Sequence, residues 1–223
     1  MEKKQVYDFT FAGAGAATLQ IVEKLMQSGN FNDKQLLILE QYPNKENDRT
    51  WCFWEAKTNT QWSEHIVKEW DNISFISKNL SLKEHISPLS YKMMRSGSYY
   101  ASMRTLIEQH NNITLKYEEV ASFEEHQSGV WITTNERIYN TKLFFNSIFD
   151  WEVVQQQNRY PVLQQHFVGW FIKTQKPHFD ADSATFMDFT VAQKDSTRFM
   201  YVLPSSETEA LIEYTLFSKE KLK

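Results

Sequence analysis

The amino-acid sequence predicts a mixed α/β (α+β) protein built from two interleaved parts, and three observations carry that reading. Tyr7 to Glu40 runs from a short apolar strand through Gly13-Ala-Gly15 and a helix-period stretch into a second apolar strand, "LLILE". Further on, short strand-like runs separated by turns follow a second helix-period stretch, as in a β-meander laid on a parallel sheet. From Trp151 the pattern changes to long strands joined by connections of hairpin length, which predicts an antiparallel sheet.

The first segment predicts a Rossmann-like βαβ unit. A glycine-rich turn between strand and helix lets a pyrophosphate lie against backbone N–H groups at a helix N-terminus, where the helix dipole favours negative charge. Gly13, Gly15 and Ala16 are the residues expected to make that approach. Glu40, ending the next strand, is placed to accept hydrogen bonds from ribose hydroxyls, which favours FAD or NAD over NADP. The third small position of the glycine pattern is Thr18, and the competing reading is that Gly13 and Gly15 only make a tight turn.

Composition bounds the rest. The chain has 223 residues, 41% of them apolar, enough for a sizeable core. With 24 basic against 28 acidic residues and no basic cluster, nucleic acid is excluded as a partner class. Cys52 has no cysteine to pair with, as in a reducing cytoplasm, and the six histidines form no metal-binding spacing, so no metal is expected. Met1 to Lys4 is basic, but no apolar signal core follows it. The longest apolar runs fall far short of the roughly 18 residues that span a bilayer.

Along the chain, Ser98 to Glu108 carries a helical stripe that Asn111-Asn112 ends. Ile113 to Lys116, Val120 to Glu124, Gly129 to Thr133, Arg137 to Thr141 and Leu143 to Ile148 read as strands. The acids of Tyr117-Glu-Glu and Glu124-Glu125 read as solvated edges. His166 to Lys173, Thr185 to Val191, Arg198 to Leu203 and Ala210 to Phe217 form the antiparallel sheet.

These landmarks carry a resemblance. Gly13-Ala-Gly15 with "LILE" to Glu40, "DRTWCFW" at Asp48 to Trp54, "YKMMRSGSYY" at Tyr91 to Tyr100, "FMDF" at Phe186 to Phe189, "YVLP" at Tyr201 to Pro204 and "LIEYT" at Leu211 to Thr215 resemble, in order and spacing, the lycopene cyclase family. The resemblance implies a fold similar to the aromatic-hydroxylase type of flavoprotein. It implies FAD, acting in its reduced form with NAD(P)H as reductant, and a non-redox cyclisation of the acyclic ends of lycopene to β-rings. It also implies an FAD-binding domain at residues 1–55 and 86–150, and a substrate domain at 56–85 and 151–223. Arg49, in the loop after the adenosine-binding strand, is implied as a cofactor contact, and Val120 as a source of backbone groups for the adenine. Members of the family continue beyond a position like Lys223, so a fragment is expected, ending in a helix that Ser218 caps.

Protonating an alkene needs a carboxyl kept protonated by desolvation. Glu213 is the candidate, a glutamate in mid-strand sharing a face with Leu211, Thr215 and Phe217. If that face were solvent-exposed, Glu213 would be merely polar; the match to the family's acidic motif favours the acid. Regular hairpins would pair Asp188 with Met200 and Met200 with Glu213, setting Asp188 as a second acid roughly 10 Å away on the same face; a one-residue slip would separate them. Trp170, Phe171, Phe186, Phe189 and Phe199 are expected in the wall of a polyene tunnel. Lycopene dissolves in bilayers, so a cytoplasmic, peripheral-membrane protein is expected. The alternatives are a flavin monooxygenase or prenyl reductase on the same fold, and a non-catalytic carotenoid-binding fragment.

Overall fold

The computed structural model describes residues 6–220. In chain order the elements are β1 (Val6–Ala12), α1 (Ala16–Gln27), β2 (Leu36–Leu39), β3 (Thr50–Ala56), β4 (Ile66–Trp70), β5 (Asn72–Ser77) and β6 (Leu80–His85). Then come β7 (Leu89–Arg95), α2 (Ser96–Gln109), β8 (Ile113–Lys116), β9 (Val120–His126), β10 (Gly129–Thr134) and β11 (Ile138–Asn146). The chain closes with α3 (Trp151–Gln156), β12 (Gln164–Lys173), β13 (Ser183–Asp188), β14 (Thr197–Pro204) and β15 (Glu209–Ser218). Two compact units divide them. Unit 1 takes the chain up to Asp48 together with Ser96–Asp150, and unit 2 takes Arg49–Arg95 with everything from Trp151 on.

Unit 1 is a six-stranded sheet in the order β8-β2-β1-β11-β10-β9. All four side chains of β2 are buried, as an apolar run between two parallel neighbours requires. Helix α1 buries Thr18, Leu19, Val22 and Met26, a stripe one to two turns apart. The meander β9-β10-β11 is antiparallel, and β11 joins the parallel part through β1. The expected strands at 137–141 and 143–148 are one: β11 pairs with β1 from Asn140 to Asn146, and that continuous ladder holds the segment extended.

Glu118 corrects the reading of its segment as a solvated edge. It is 6% exposed, and its carboxylate accepts hydrogen bonds from Thr134 Oγ1 and the Tyr139 hydroxyl, each at 2.7 Å. The ladder from β9 to β11 folds the segment back over these donors. Glu119, Glu124 and Glu125 are exposed.

Unit 2 holds a six-stranded sheet, β12-β15-β14-β13-β5-β6, and a three-stranded sheet, β3-β7-β4. Its core gathers Trp70, Ile73, Tyr91, Met93, Ala184, Leu203 and Leu211. Trp70 is fully buried, and its indole N–H donates to the Pro204 carbonyl at 3.0 Å. Strand β5 enters the large sheet parallel to β13, more than 100 residues away in sequence, so local pattern gives no sign of the pairing. Ser218 does not cap a helix: it is still in β15, its Oγ donates to the Glu220 carbonyl, and residues 219 and 220 bend instead of winding; the rest of the expected helix lies outside the described residues, as does Met1 to Lys4.

The register of β14 on β15 departs from the regular hairpin. Asp188 pairs with Met200, but Met200 pairs with Tyr214, and Glu213 pairs with Tyr201. The last pair before the turn is Pro204 with Ala210, an odd-length connection held by Ser206 Oγ accepting the Thr208 and Glu209 N–H groups. That one-residue slip sends Asp188 and Glu213 to opposite faces.

Tyr139→Phe removes one of two hydroxyl donors to a buried carboxylate and should cost about 1–3 kcal/mol; urea unfolding followed by circular dichroism measures it.

Candidate functional site

In unit 1 the strand β1 delivers the chain into Gly13 and Gly15. Gly13 has φ +93°, a conformation side-chain-bearing residues rarely adopt, and an added Cβ would stand 2.8 Å from Ser147 Oγ. Gly15 caps α1 with no side-chain hydrogen bond, and no acidic residue occupies the first turn. A Cβ at Gly15 would meet nothing within 4 Å. The start of α1 thus has open space beside Gly15 and the positive end of the helix dipole behind it, which suits an anion.

Glu40 sits beside this turn, 4% exposed. Its Oε2 accepts the Ala14 N–H at 2.7 Å and the Lys45 ammonium at 2.5 Å, and its Oε1 accepts the Tyr42 N–H at 3.0 Å. Burial alone would raise its pKa; the hydrogen bonds from Lys45, Tyr42 and Ala14 outweigh burial and hold the carboxyl below its ordinary range. A ribose diol seeking both oxygens has to displace Lys45, because three acceptor positions are already filled. Val120, at the start of β9, packs half-buried against the Tyr7, Leu37 and Tyr139 cluster. Arg49 is exposed, just ahead of β3, and groups with unit 2.

In unit 2, Glu213 lies on the face of β15 that it shares with buried Leu211 and Thr215, opposite Tyr201 of β14 and Gly169 of β12. An aromatic group packs beside it: Trp54 and Tyr91 with ring centroids 5.0 Å apart, Tyr91 and Phe186 at 5.7 Å, and Phe186 and Tyr201 at 5.8 Å. The hydroxyls of Tyr91 and Tyr201 hydrogen-bond to each other. Among the described residues nothing hydrogen-bonds or ion-pairs with the Glu213 carboxyl, and burial pushes its pKa up. Burial likewise pushes Tyr91 up, and it pushes the Cys52 thiol to about 12 against the pull of its hydrogen bond with Tyr91. The Glu213 charge disfavours ionisation of both. Unit 2 thus offers, among aromatic rings, a carboxyl that burial makes harder to ionise.

Asp188 is on the other face, where its Oδ1 accepts the Thr190 N–H at 2.9 Å. Of the expected tunnel aromatics, Phe186 joins the Tyr91 group, and Phe189 packs with Phe75 and Phe199. Trp170 pairs with Ile212 and points away from Glu213. Cys52, Trp54, Tyr91 and Tyr201 stand inside motifs of the sequence that carry no sign of a role, since Tyr201 is more than 100 residues from the others and nothing local shows that they meet. Gly169 was readable as a lone glycine inside a strand pattern, a mark of close approach. Among the described residues no group of three or more His, Cys, Asp or Glu could hold a metal, and no helix is long and apolar enough to cross a membrane.

Comparison with known proteins supplies the family. The family described as lycopene cyclase protein matches residues 8–223. The chain belongs to the lycopene cyclase family. A lycopene beta-cyclase from Paracoccus sp. (strain N81106 / MBIC 01143) is 38% identical over 78 residues, covering 35% of this chain and 20% of that protein. A flavin-dependent halogenase from Xanthomonas campestris superposes with TM-score 0.66 at 8% identity over 98% of this chain and 57% of its own. A geranylgeranyl bacteriochlorophyll reductase-like protein from Thermoplasma acidophilum gives 0.62 at 12% identity over 97% and 57%. An oxygenase of 2-methyl-3-hydroxypyridine-5-carboxylic acid gives 0.62 at 12% over 95% and 59%. The chain thus spans a fifth of that curated relative and under two thirds of these structures. Its fold is that of the aromatic-hydroxylase and halogenase type of flavoprotein, as the sequence predicted.

The raised pKa of Glu213 has a consequence for stability. Folding favours the protonated form, so the stability this group contributes is complete below its unfolded pKa and is lost as pH rises through the folded one. Glu213→Gln should therefore gain stability relative to the unmutated chain as pH rises, with the difference smallest below the ordinary carboxyl pKa of 4.5. Thermal melts at pH 4 and pH 8 test this; an equal difference at both would contradict it.

Proposed function

We propose that this lycopene cyclase family member is an FAD-dependent isomerase that closes the acyclic ends of lycopene, or a related acyclic carotenoid, into β-rings by acid initiation. The observation carrying this reading is Glu213, a carboxyl whose pKa burial raises, set among aromatic rings and without a hydrogen-bond or ion-pair partner among the described residues.

The residues of unit 1 fit a dinucleotide: Gly13, Gly15 and Ala16 for the pyrophosphate, Glu40 for the ribose, and the Val120 backbone for the adenine. Bound there in reduced form, with NAD(P)H as reductant, FAD would supply electron density that stabilises nearby positive charge without being consumed.

The steps on this chain's own residues balance. The Glu213 carboxyl gives its proton to the terminal double bond, leaving a tertiary cation. The next double bond attacks that cation and closes the ring. A ring proton then returns to the Glu213 carboxylate, so no atom or electron is gained or lost. The faces of Trp54, Tyr91, Phe186 and Tyr201 favour the cation, and their bulk excludes water that would trap it. Tyr91 and Cys52 stay neutral and do not compete for the proton.

In full-length protein expressed in lycopene-producing cells, Glu213→Gln should lower cyclisation by the 10² to 10⁴ or so typical of a lost general acid while flavin remains bound. Unchanged cyclic pigment on chromatography rejects the assignment. Gly15→Val should fold normally, since its Cβ meets open space, yet lose flavin absorbance by blocking backbone approach. NAD(P)H-dependent oxygen uptake, or reduced rather than cyclised pigment, would point instead to the monooxygenase or reductase reading.

Lycopene is confined to the bilayer, so the full-length protein should attach to a membrane surface. Fractionation of lycopene-containing cells checks this: recovery wholly in the soluble fraction contradicts it.

A further inference from the structure

Strand β12 is the edge of the large sheet, and it carries a glycine at its middle. Gly169 stands directly across from Glu213. A Cβ added there would lie 3.0 Å from Glu213 Cγ, 3.4 Å from Leu211 Cδ1 and 3.5 Å from Glu213 Oε1. The acid's side chain therefore leans over the glycine, into the room a side chain would take. On the same face, two residues to either side, stand Phe167 and Phe171, 62% and 59% exposed, and the Arg95 guanidinium lies 4.8 Å from the Phe171 ring centre. Glycine weakens a strand interior by about 0.5–1 kcal/mol relative to alanine, so its place here calls for a reason.

We propose that Gly169 is a positioning residue: with Phe167 and Phe171 it forms a notch at the sheet edge through which an apolar, branched alkene end reaches the Glu213 carboxyl. This rests on the assignment of Glu213 as the acid. The notch suits that substrate class because its walls are two rings and a bare backbone, with the carboxyl at its floor. Of the groups facing Glu213 from the other strands, burial makes Cys52 and Tyr91 harder to ionise and Tyr201 hydrogen-bonds to Tyr91, while the Arg95 guanidinium lies over the Phe171 ring. A methyl at Gly169 displaces the carboxyl and removes water from it, so two effects follow. The proton moves off line, and the acid becomes harder to ionise.

The test is Gly169→Ala and Gly169→Val in full-length flavin-loaded protein, with kcat and KM for lycopene measured across pH. We expect kcat to fall by roughly 10- to 100-fold, the scale of an ångström-sized misplacement, with flavin content unchanged. The alkaline limb of the rate profile, where the acid ionises, should move to higher pH. A kcat and limb unchanged in both variants overturn the proposal, and so does a rate loss with an unmoved limb, which marks a structural role. A stability cycle guards against misfolding. Gly169→Ala should raise the melting temperature more in a Glu213→Ala background than in the unmutated chain; equal shifts in the two backgrounds overturn the contact. If Glu213→Gln itself cyclises lycopene at the full rate, the parent assignment has failed rather than the notch.

Discussion

The pairing of Tyr201 with Glu213 is the constraint on which the unit 2 site depends. A strand offers its side chains to alternate faces, so this register alone decides whether Glu213 meets the aromatic core or the other side of the sheet. The odd-length turn closed by Ser206 sets it. With the register fixed, Leu203, Leu211 and Thr215 become the buried neighbours of the acid, Gly169 becomes the residue beneath it, and Asp188 is excluded. Trp70 locks the same turn from the other end, since its indole donates to the carbonyl of Pro204, the last paired residue before the connection.

Much of this was legible in the sequence, for reasons that differ by element. The βαβ unit is local: strand, glycines, helix and acid follow within 35 residues, and the structure puts the Glu40 carboxylate on the Ala14 N–H of the glycine turn. The long strands β12 to β15 are antiparallel and sequential, so alternation and turn spacing sufficed for their existence. Their register did not follow, because it hinges on one residue in a serine-rich turn. Strands β3 to β7 were not read individually, since their partners are remote; β5 lies against β13 and contributes its pattern to a sheet built mostly from later sequence. The aromatic group around Tyr91 suffers the same blindness, being assembled from β3, β7, β13 and β14.

Buried glutamates separate scaffold from chemistry. Glu40 and Glu118 are the more deeply buried, and each is satisfied: Glu40 by two backbone N–H groups and Lys45, Glu118 by two hydroxyls with Arg137 at 3.6 Å. For Glu40 those donors overcome desolvation and keep the charge. Their carboxylates serve as fixed acceptors, one at a glycine turn and the other inside the meander.

Glu213 has desolvation without a donor among the described residues. A polar group half removed from water with no hydrogen bond costs on the order of 1–3 kcal/mol, a sizeable part of a domain's net stability. A leucine or methionine would fill the same strand position without that cost, and Leu211 and Leu216 on β15 show that the sheet accepts them. Neither the packing of the core nor the ladder of β15 needs a carboxyl there. What the position holds is a carboxyl whose pKa burial raises, bordered by ring faces and set against a glycine, as the proposed acid requires. The same isolation that makes Glu213 a poor structural residue keeps its proton bound to higher pH, which the proposed general-acid role requires, and perturbed groups of this kind concentrate at functional sites.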